Sequence, residues 1–324
     1  MASIRPFLLA AALPFTLVAC GGDDGEGQPT PEGTHYAYVA NKAFVPTNNN
    51  QAREYGLDLD GNKTVDNQLG MVLGTLSTMG FDIQGTIDAA VAEGSIILLV
   101  DFQTKDFNST SAAGLSVKLG DMPNPAPCNQ GETYDETTKT GCGRHLTNGT
   151  FAIAAGSPDN AAVAGPIVNG TFNGGPGDIS LQIALGGTDA IQLDLIGARA
   201  KASGITENGI ESIVVGGALT EDDLNTQVLP AIHAQIAPII AEDCTMPQNP
   251  PGCGCAAGST GKTVLDLFDG GIQGSTKDCM VSVDEIKENS LIKSLLAPDV
   301  TINGTKALSL GLKVTATKAT FPTN

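Results

Sequence analysis

The chain has 324 residues, and 35 acidic against 17 basic side chains give it a formal charge of −18. Such acidity repels phosphate backbones and argues against nucleic-acid binding, while the absence of Trp and an aromatic share of 4% leave few stacking platforms for bases or sugars. An apolar share of 41% is enough to bury a core, and 40 Gly, 18 Pro and 16% charged residues favour many turns and short strands over a helical bundle.

Residues 1–19 read as an export signal. Arg5 supplies the positive start, and Phe7 to Val18 is apolar apart from Pro14 and Thr16. The run is too short and too abruptly ended for a spanning helix. It closes on Leu17-Val18-Ala19-Cys20, followed by Gly21-Gly22-Asp23-Asp24. This resembles the lipobox of bacterial lipoproteins, a small apolar tripeptide before a Cys. The resemblance implies that Cys20 is diacylated, cleaved before and N-acylated, making the bilayer the expected partner. Several acyl chains on one residue exceed the threshold for stable anchoring. By analogy with enteric sorting rules, Gly21 in place of Asp implies the outer membrane. An ordinary signal peptide with a chance Cys at its end is the alternative. Residues 20–34, with GGDDGEGQPTPEG at their centre, hold nothing apolar to pack and read as a flexible tether.

From there to residue 324 the pattern predicts one β-rich domain. Tyr36 to Pro46 suits a short strand. Leu69, Val72, Leu73 and Leu76 fall at helical spacing between Asn67 and Met79, and Ile83 to Val91 gives a second helical face. Ser95 to Phe102 is apolar on both faces, as in a central strand. Beyond Leu115 alternation dominates. Ile179, Leu181, Ile183 and Leu185 share a face, as do Ile191, Leu193 and Leu195, and later Leu308, Leu310, Leu312 and Val314. Such period-two runs mark half-buried antiparallel strands. Asn-Gly pairs at Asn148, Asn169, Asn208 and Asn303 supply the positive-φ positions of tight turns. Thr220 to Asp223 reads as a capping box, and Leu224, Val228, Ile232, Ile236, Ile239 and Ile240 make one apolar stripe of a helix laid on the sheet. Short helices are expected around Leu265 and from Ile286 to Leu296. The predicted class is α+β: a predominantly antiparallel sheet, a few packed helices and disulfide-tied loops.

Apart from Cys20 there are six cysteines, an even number that suits disulfides in an oxidising compartment. Cys128 and Cys142 bracket a polar stretch and are expected to staple a loop. Cys244, Cys253, Cys255 and Cys279 are expected to pair among themselves, in a connectivity the sequence leaves open. They lie within residues 244–297, a Cys-rich helical insert. Zinc is disfavoured, because the sole close pair is Cys253-Gly254-Cys255 and the histidines stand far off at 35, 145 and 233.

The most informative stretch is Asp58-Leu-Asp60-Gly-Asn62-Lys-Thr64-Val-Asp66. Oxygen-bearing side chains fall at positions one, three, five, seven and nine, which a tightly coiled loop turns toward one centre suited to Ca²⁺. It resembles the calcium loops of EF-hands, dockerins and thrombospondin type 3 repeats. The resemblance implies Asp58, Asp60 and Asn62 as side-chain ligands, Thr64 through its carbonyl, and Asp66 directly or through water. Val65 is expected to anchor the loop to the core. Two positions depart from the pattern: Lys63 stands where the sharp turn wants Gly, and Leu69 where the bidentate Glu belongs. Modest affinity follows. The alternative is a solvated acidic turn capping a helix.

A second stretch resembles a decayed EF-hand. Val264 to Asp269 would be its entering helix, and Asp278, Ser282 and Glu285 its remaining ligands, with Glu285 twelfth and Cys279 at the glycine position. Gly274 and Thr276 cannot supply the usual carboxylates, so a helix-loop-helix without metal is the alternative. Ala256 to Thr263 fits a relaxed phosphate-loop pattern, yet Pro-Gly-Cys-Gly-Cys precedes it where a strand is required. No GxSxG or HExxH occurs, and no Ser, Cys or His context suggests an activated nucleophile.

The chain as a whole resembles the cysteine-containing envelope lipoproteins of large-genome Gram-negative bacteria, a likeness that transfers no activity. The expected role is a non-catalytic structural or interaction module stabilised by calcium. The alternatives are a carrier of hydrophobic ligands, which a pocket lined by Ile and Leu would favour, and an envelope hydrolase.

Overall fold

The computed structural model describes residues 28–78, 82–129, 131–135, 137–138, 140–158, 162–183, 191–244, 253–270 and 276–323. The export signal, Cys20, the first part of the tether, Met79, Leu185 and Gly274 lie outside the described residues.

In chain order the elements are β1 (Thr34–Phe44), α1 (Asn49–Glu54), α2 (Gln68–Thr78), α3 (Ile83–Ala92), β2 (Leu98–Thr104) and β3 (Thr110–Asn124). An insert with β4 (Tyr134–Asp135), β5 (Thr140–Gly141) and β6 (Thr150–Ile153) leads to β7 (Ala162–Val168), β8 (Thr171–Ile183), β9 (Ile191–Thr206) and β10 (Gly209–Leu219). A helical run follows: α4 (Glu221–Asp223), one π turn over Leu224–Val228, and α5 (Leu229–Asp243). Then come α6 (Thr260–Phe268), α7 (Val283–Glu288), α8 (Ser290–Leu295), β11 (Val300–Ile302) and β12 (Thr305–Lys318).

Eight strands in the order β1-β2-β3-β7-β8-β9-β10-β12 pair antiparallel, and β12 returns to pair with β1, so the sheet closes into a barrel. The alternating positions read from sequence are its inner wall: Ile179, Leu181, Leu193, Leu195, Leu308, Leu310, Leu312 and Val314 all join the main core. Eight strands leave an interior that side chains can just fill. Asp194, Lys201 and Glu211 on the strands are exposed. An apolar inside and polar outside reverse the arrangement of a barrel that faces lipid. No helix among the described residues is long and apolar enough to cross a membrane. The two-sided apolarity of Ser95 to Phe102 has its reason too: Leu98, Val100 and Phe102 face inward, while Ile97 and Leu99 lie under Phe151, Ala319 and Phe321 outside.

The two barrel ends differ. One is closed by hairpins and plugged by aromatics: Phe102 meets Phe172 edge-on at 5.2 Å, Tyr36 lies 4.7 Å from Phe107, and the Tyr38 hydroxyl donates to the Thr206 carbonyl at 2.7 Å. Asn169 in the β7–β8 turn has φ 50°, as expected, and Asn148 and Asn303 are also left-handed; Asn208 is not. The opposite end is covered by helices. Leu69, Val72 and Leu73 of α2, Ile83 and Ile87 of α3, and Leu224 and Val228 merge with the barrel core.

The helix expected to lie on the sheet as one stripe is instead shared between two cores. After Val228 its apolar residues Leu229, Ile236 and Ile240 turn to a separate cluster with Val264, Leu265, Phe268, Ile286 and Cys244, Cys253 and Cys279. Thr220 and Asp223 form the expected capping box. The end of the predicted tether lies on the barrel: the Gln28 side chain accepts from Ala164 N at 2.7 Å, and Glu32 N donates to the Ala112 carbonyl. Pro31 sits where any Cβ on Gly114 would come within 2.6 Å of it.

Candidate metal centre

The loop Asp58–Asp66 connects α1 to α2 along the outside of the barrel. Leu57 and Asp66 close its neck as an antiparallel bridge. Next to the neck stands Asn67, 1% exposed. Its Nδ2 donates to the carbonyls of Ala52 and Gly311 at 2.9 and 3.0 Å, and its Oδ1 accepts from Gly70 N and Gly311 N at 3.0 and 2.7 Å. One side chain thus caps α2 and joins it to β12. Only glycine suits position 311, since a Cβ there would lie 2.3 Å from the Tyr55 carbonyl oxygen. Beside it Gln68 N donates to Ser309 Oγ at 2.7 Å, and Ser309 donates from both N and Oγ to the Asp299 carboxylate.

Within the loop the carboxylates organise the backbone. Asp58 accepts from Gly61 N at 2.7 Å and Lys63 N at 2.9 Å; Asp60 accepts from Asn62 N, Asn62 from Thr64 N, and Asp66 from Leu59 N at 2.8 Å. This coil brings one oxygen each of Asp58, Asp60 and Asp66 within 4.8 Å of one another. Two oxygens on opposite sides of a cation coordinated at about 2.4 Å would stand at that separation. Asn62 and Thr64 follow on the same coil. Lys63, which occupies the expected glycine position, has φ 68°, so the sharp turn is made despite its side chain. Burial of Asp66, together with the carboxylates of Asp60, Asp299 and Asp58, raises its pKa, opposed by the bond from Leu59 N. The donor set is hard oxygen and negatively charged, which fits Ca²⁺.

Val65 does not anchor the loop. It is 43% exposed, and Leu59 is buried instead against Ala218, Val300, Ile302 and Ala307, with Leu57 alongside. The loop rests on the barrel through its second residue, and its eighth faces water.

The second stretch uses its acids differently. Glu285 accepts from Ser282 N, Ser282 Oγ and Gly270 N, completing a capping box for α7. Asp278 turns to Met280 N, and buried Asp269 accepts from Asp278 N and Cys279 N at 3.0 and 3.1 Å. The structure therefore brings Ser282 and Glu285 together as a helix cap, with Asp278 engaged elsewhere. Cys279, at the glycine position, has φ 66° and is bonded to Cys253. Asp269 approaches those two sulfurs, but a disulfide has no thiolate to offer a metal. The other bridges are Cys244–Cys255 and the expected Cys128–Cys142.

At the phosphate-loop lookalike, Asp243 accepts from Gly261 N at 2.7 Å, so a carboxylate already occupies the N-terminus of α6 where a phosphate would bind. His145 is fully buried with Nε2 3.3 Å from the Val91 carbonyl and Nδ1 without a partner, and burial lowers its pKa. His233 meets the Val281 carbonyl, and His35 pairs with Asp101 at 2.9 Å. Sequence reasoning missed Leu59, Asp299 and the clamp role of Asn67, because the packing of Leu59 on Ala218 and Val300, the approach of Asp299 to Asp66 and the bonds of Asn67 to Gly311 all join parts of the chain far apart in sequence.

No protein-family model, no curated protein and no solved structure matches the chain.

Proposed function

We propose that the protein is a lipid-anchored envelope module without a catalytic role: a packed β-barrel held to the outer membrane through Cys20 and stiffened by calcium at Asp58, Asp60, Asn62, Thr64 and Asp66. The observation carrying this reading is the loop itself. Three carboxylates converge within 4.8 Å on a coil whose sixth residue is left-handed, and Asn67 bolts the helix that follows to β12. Calcium would relieve the repulsion among the carboxylates and fix where α2 leaves the loop to cover the barrel end. The second loop, with Asp278, Ser282 and Glu285, remains a weaker candidate, since Glu285 already caps α7 and Asp278 accepts from Met280 N.

Extracellular calcium modules bind at roughly 10⁻⁴ to 10⁻³ M. At several millimolar calcium, mass action then gives about 1–2 kcal/mol, or a rise of a few degrees in melting temperature. Calorimetric titration with parallel melts in EGTA tests this. Saturable binding and a melting rise, both lost in Asp58→Ala/Asp60→Ala, are expected; no heat at millimolar calcium refutes the site. Replacing Cys20 by Ser should release the protein from membrane fractions.

A second reading, a carrier of hydrophobic ligands, is favoured by one feature: a cavity in the barrel, wholly apolar in its wall and lined largely by Ile, Leu and Val.

A further inference from the structure

The cavity has a volume of about 30 Å³ and lies at the helix-covered end, among inward side chains of six strands that include Ala40, Val100, Val117, Leu181 and Val215. It holds no polar group to bind water, and apolar voids of this kind stay dry. Its roof is Ile87 of α3, and half-buried Phe44 and Gln182 stand at its rim. At the opposite end Phe102 and Phe172 fill the interior.

The covering helix is tied down at both ends by few bonds. At its N-terminal end Gln84 donates to the Ala43 carbonyl at 2.8 Å and accepts from Val45 N at 3.0 Å. At its C-terminal end the carbonyl of Ala92 accepts from Cys128 N at 3.0 Å, and that of Val91 faces His145 Nε2. Between these ties the helix meets the cavity through Ile87, with no polar group over it.

Resting on the carrier reading, we infer that the α3 end of the barrel is the site of that activity: it takes a single saturated acyl chain, with α3 as its lid. The void as it stands seats about one methyl-sized group. A longer chain enters by lifting Ile87 and hence α3, and it then replaces the contacts of that side chain with those of the inner wall. Water has no competing claim on the space, and a branched or ring-shaped ligand would meet the strands on every side.

The test is calorimetry of the delipidated full-length chain with dodecanoate, alongside Ala40→Leu, Val117→Ile and Gln84→Ala. Ala40→Leu fills the void and should weaken binding about tenfold, the equivalent of roughly two methylenes of burial. Should that variant fail to fold, Val117→Ile supplies a one-methylene filling with a smaller loss. Gln84→Ala frees one end of the lid and should speed association. Binding weakened by filling supports the site. Binding that filling leaves unchanged overturns the α3 site while the carrier reading survives, and no binding to the parent chain overturns both.

Discussion

The loop at Asp58–Asp66 and the turn at Asp278–Ser282 each force a residue with a side chain into left-handed backbone at the corresponding position, Lys63 with φ 68° and Cys279 with φ 66°. They hold that shape by different means. At Lys63 the backbone is gathered by carboxylates that repel one another, leaving a demand for positive charge. At Cys279 a disulfide to Cys253 fixes the turn, and Asp269 spends its charge on two backbone N–H groups. The difference teaches that one backbone form can be kept by carboxylates accepting backbone N–H groups or by a covalent bond. The acids of the first loop stay free to be ligand candidates, whereas in the second Glu285 caps α7 and Asp269 and Asp278 hold the turn.

Four variants break or sharpen this contrast. The largest effect is expected from Asn67→Ala, which strands four buried backbone groups of Ala52, Gly70 and Gly311. Chemical denaturation should show a loss of about 3–5 kcal/mol. Next, Cys253→Ser/Cys279→Ser should cost about 2–4 kcal/mol and leave the calcium response of the Asp58 loop intact. A calcium response lost along with that disulfide would mean that the two loops are not independent. Lys63→Gly removes a left-handed side chain that costs about 1–2 kcal/mol, partly offset by the entropy of glycine, so a net gain below about 1 kcal/mol is expected by thermal melting.

The smallest effect concerns pH. The folded pKa of Asp66 lies above its unfolded value, so the folded state holds the proton more tightly. Its stabilising share is present below the unfolded value and is lost as pH rises through the raised folded one. In EGTA, Asp66→Asn should flatten that decline in melts between pH 3.5 and neutrality (roughly the range a raised carboxyl spans). In calcium the same variant should lose the metal-dependent gain. Stability in EGTA that rises over this range in proportion to Asp66 ionisation would contradict the assignment.

What was legible in the sequence follows the range of the interactions. Alternation at Ile179 and Leu181 and at Leu308–Val314 reports which face of a strand is buried, and it placed the barrel wall correctly as antiparallel sheet. Closure was not legible, because it depends on pairs such as Ala40↔Ala316, which no local pattern encodes. The acid spacing of the Asp58 loop is local and could be read, whereas its anchorage could not. Resemblance to EF-hands assigned the core contact to Val65, but this loop lies on a barrel wall that meets Leu59 from the other side. The stripe from Leu224 to Ile240 shows a further limit: periodicity tells that a helix has an apolar side, not that two cores share it.

The strap from Gln28 to Gly33, secured to β3 and β7, also fixes a direction in space. It delivers the chain to the start of β1, at the hairpin end. Between Cys20 and Gln28 lie only eight residue steps, a leash of at most about 28 Å. The leash begins at Gln28, on the barrel flank beside Ala164 and Gly177, so an anchor on Cys20 would hold the barrel by its side rather than by either end.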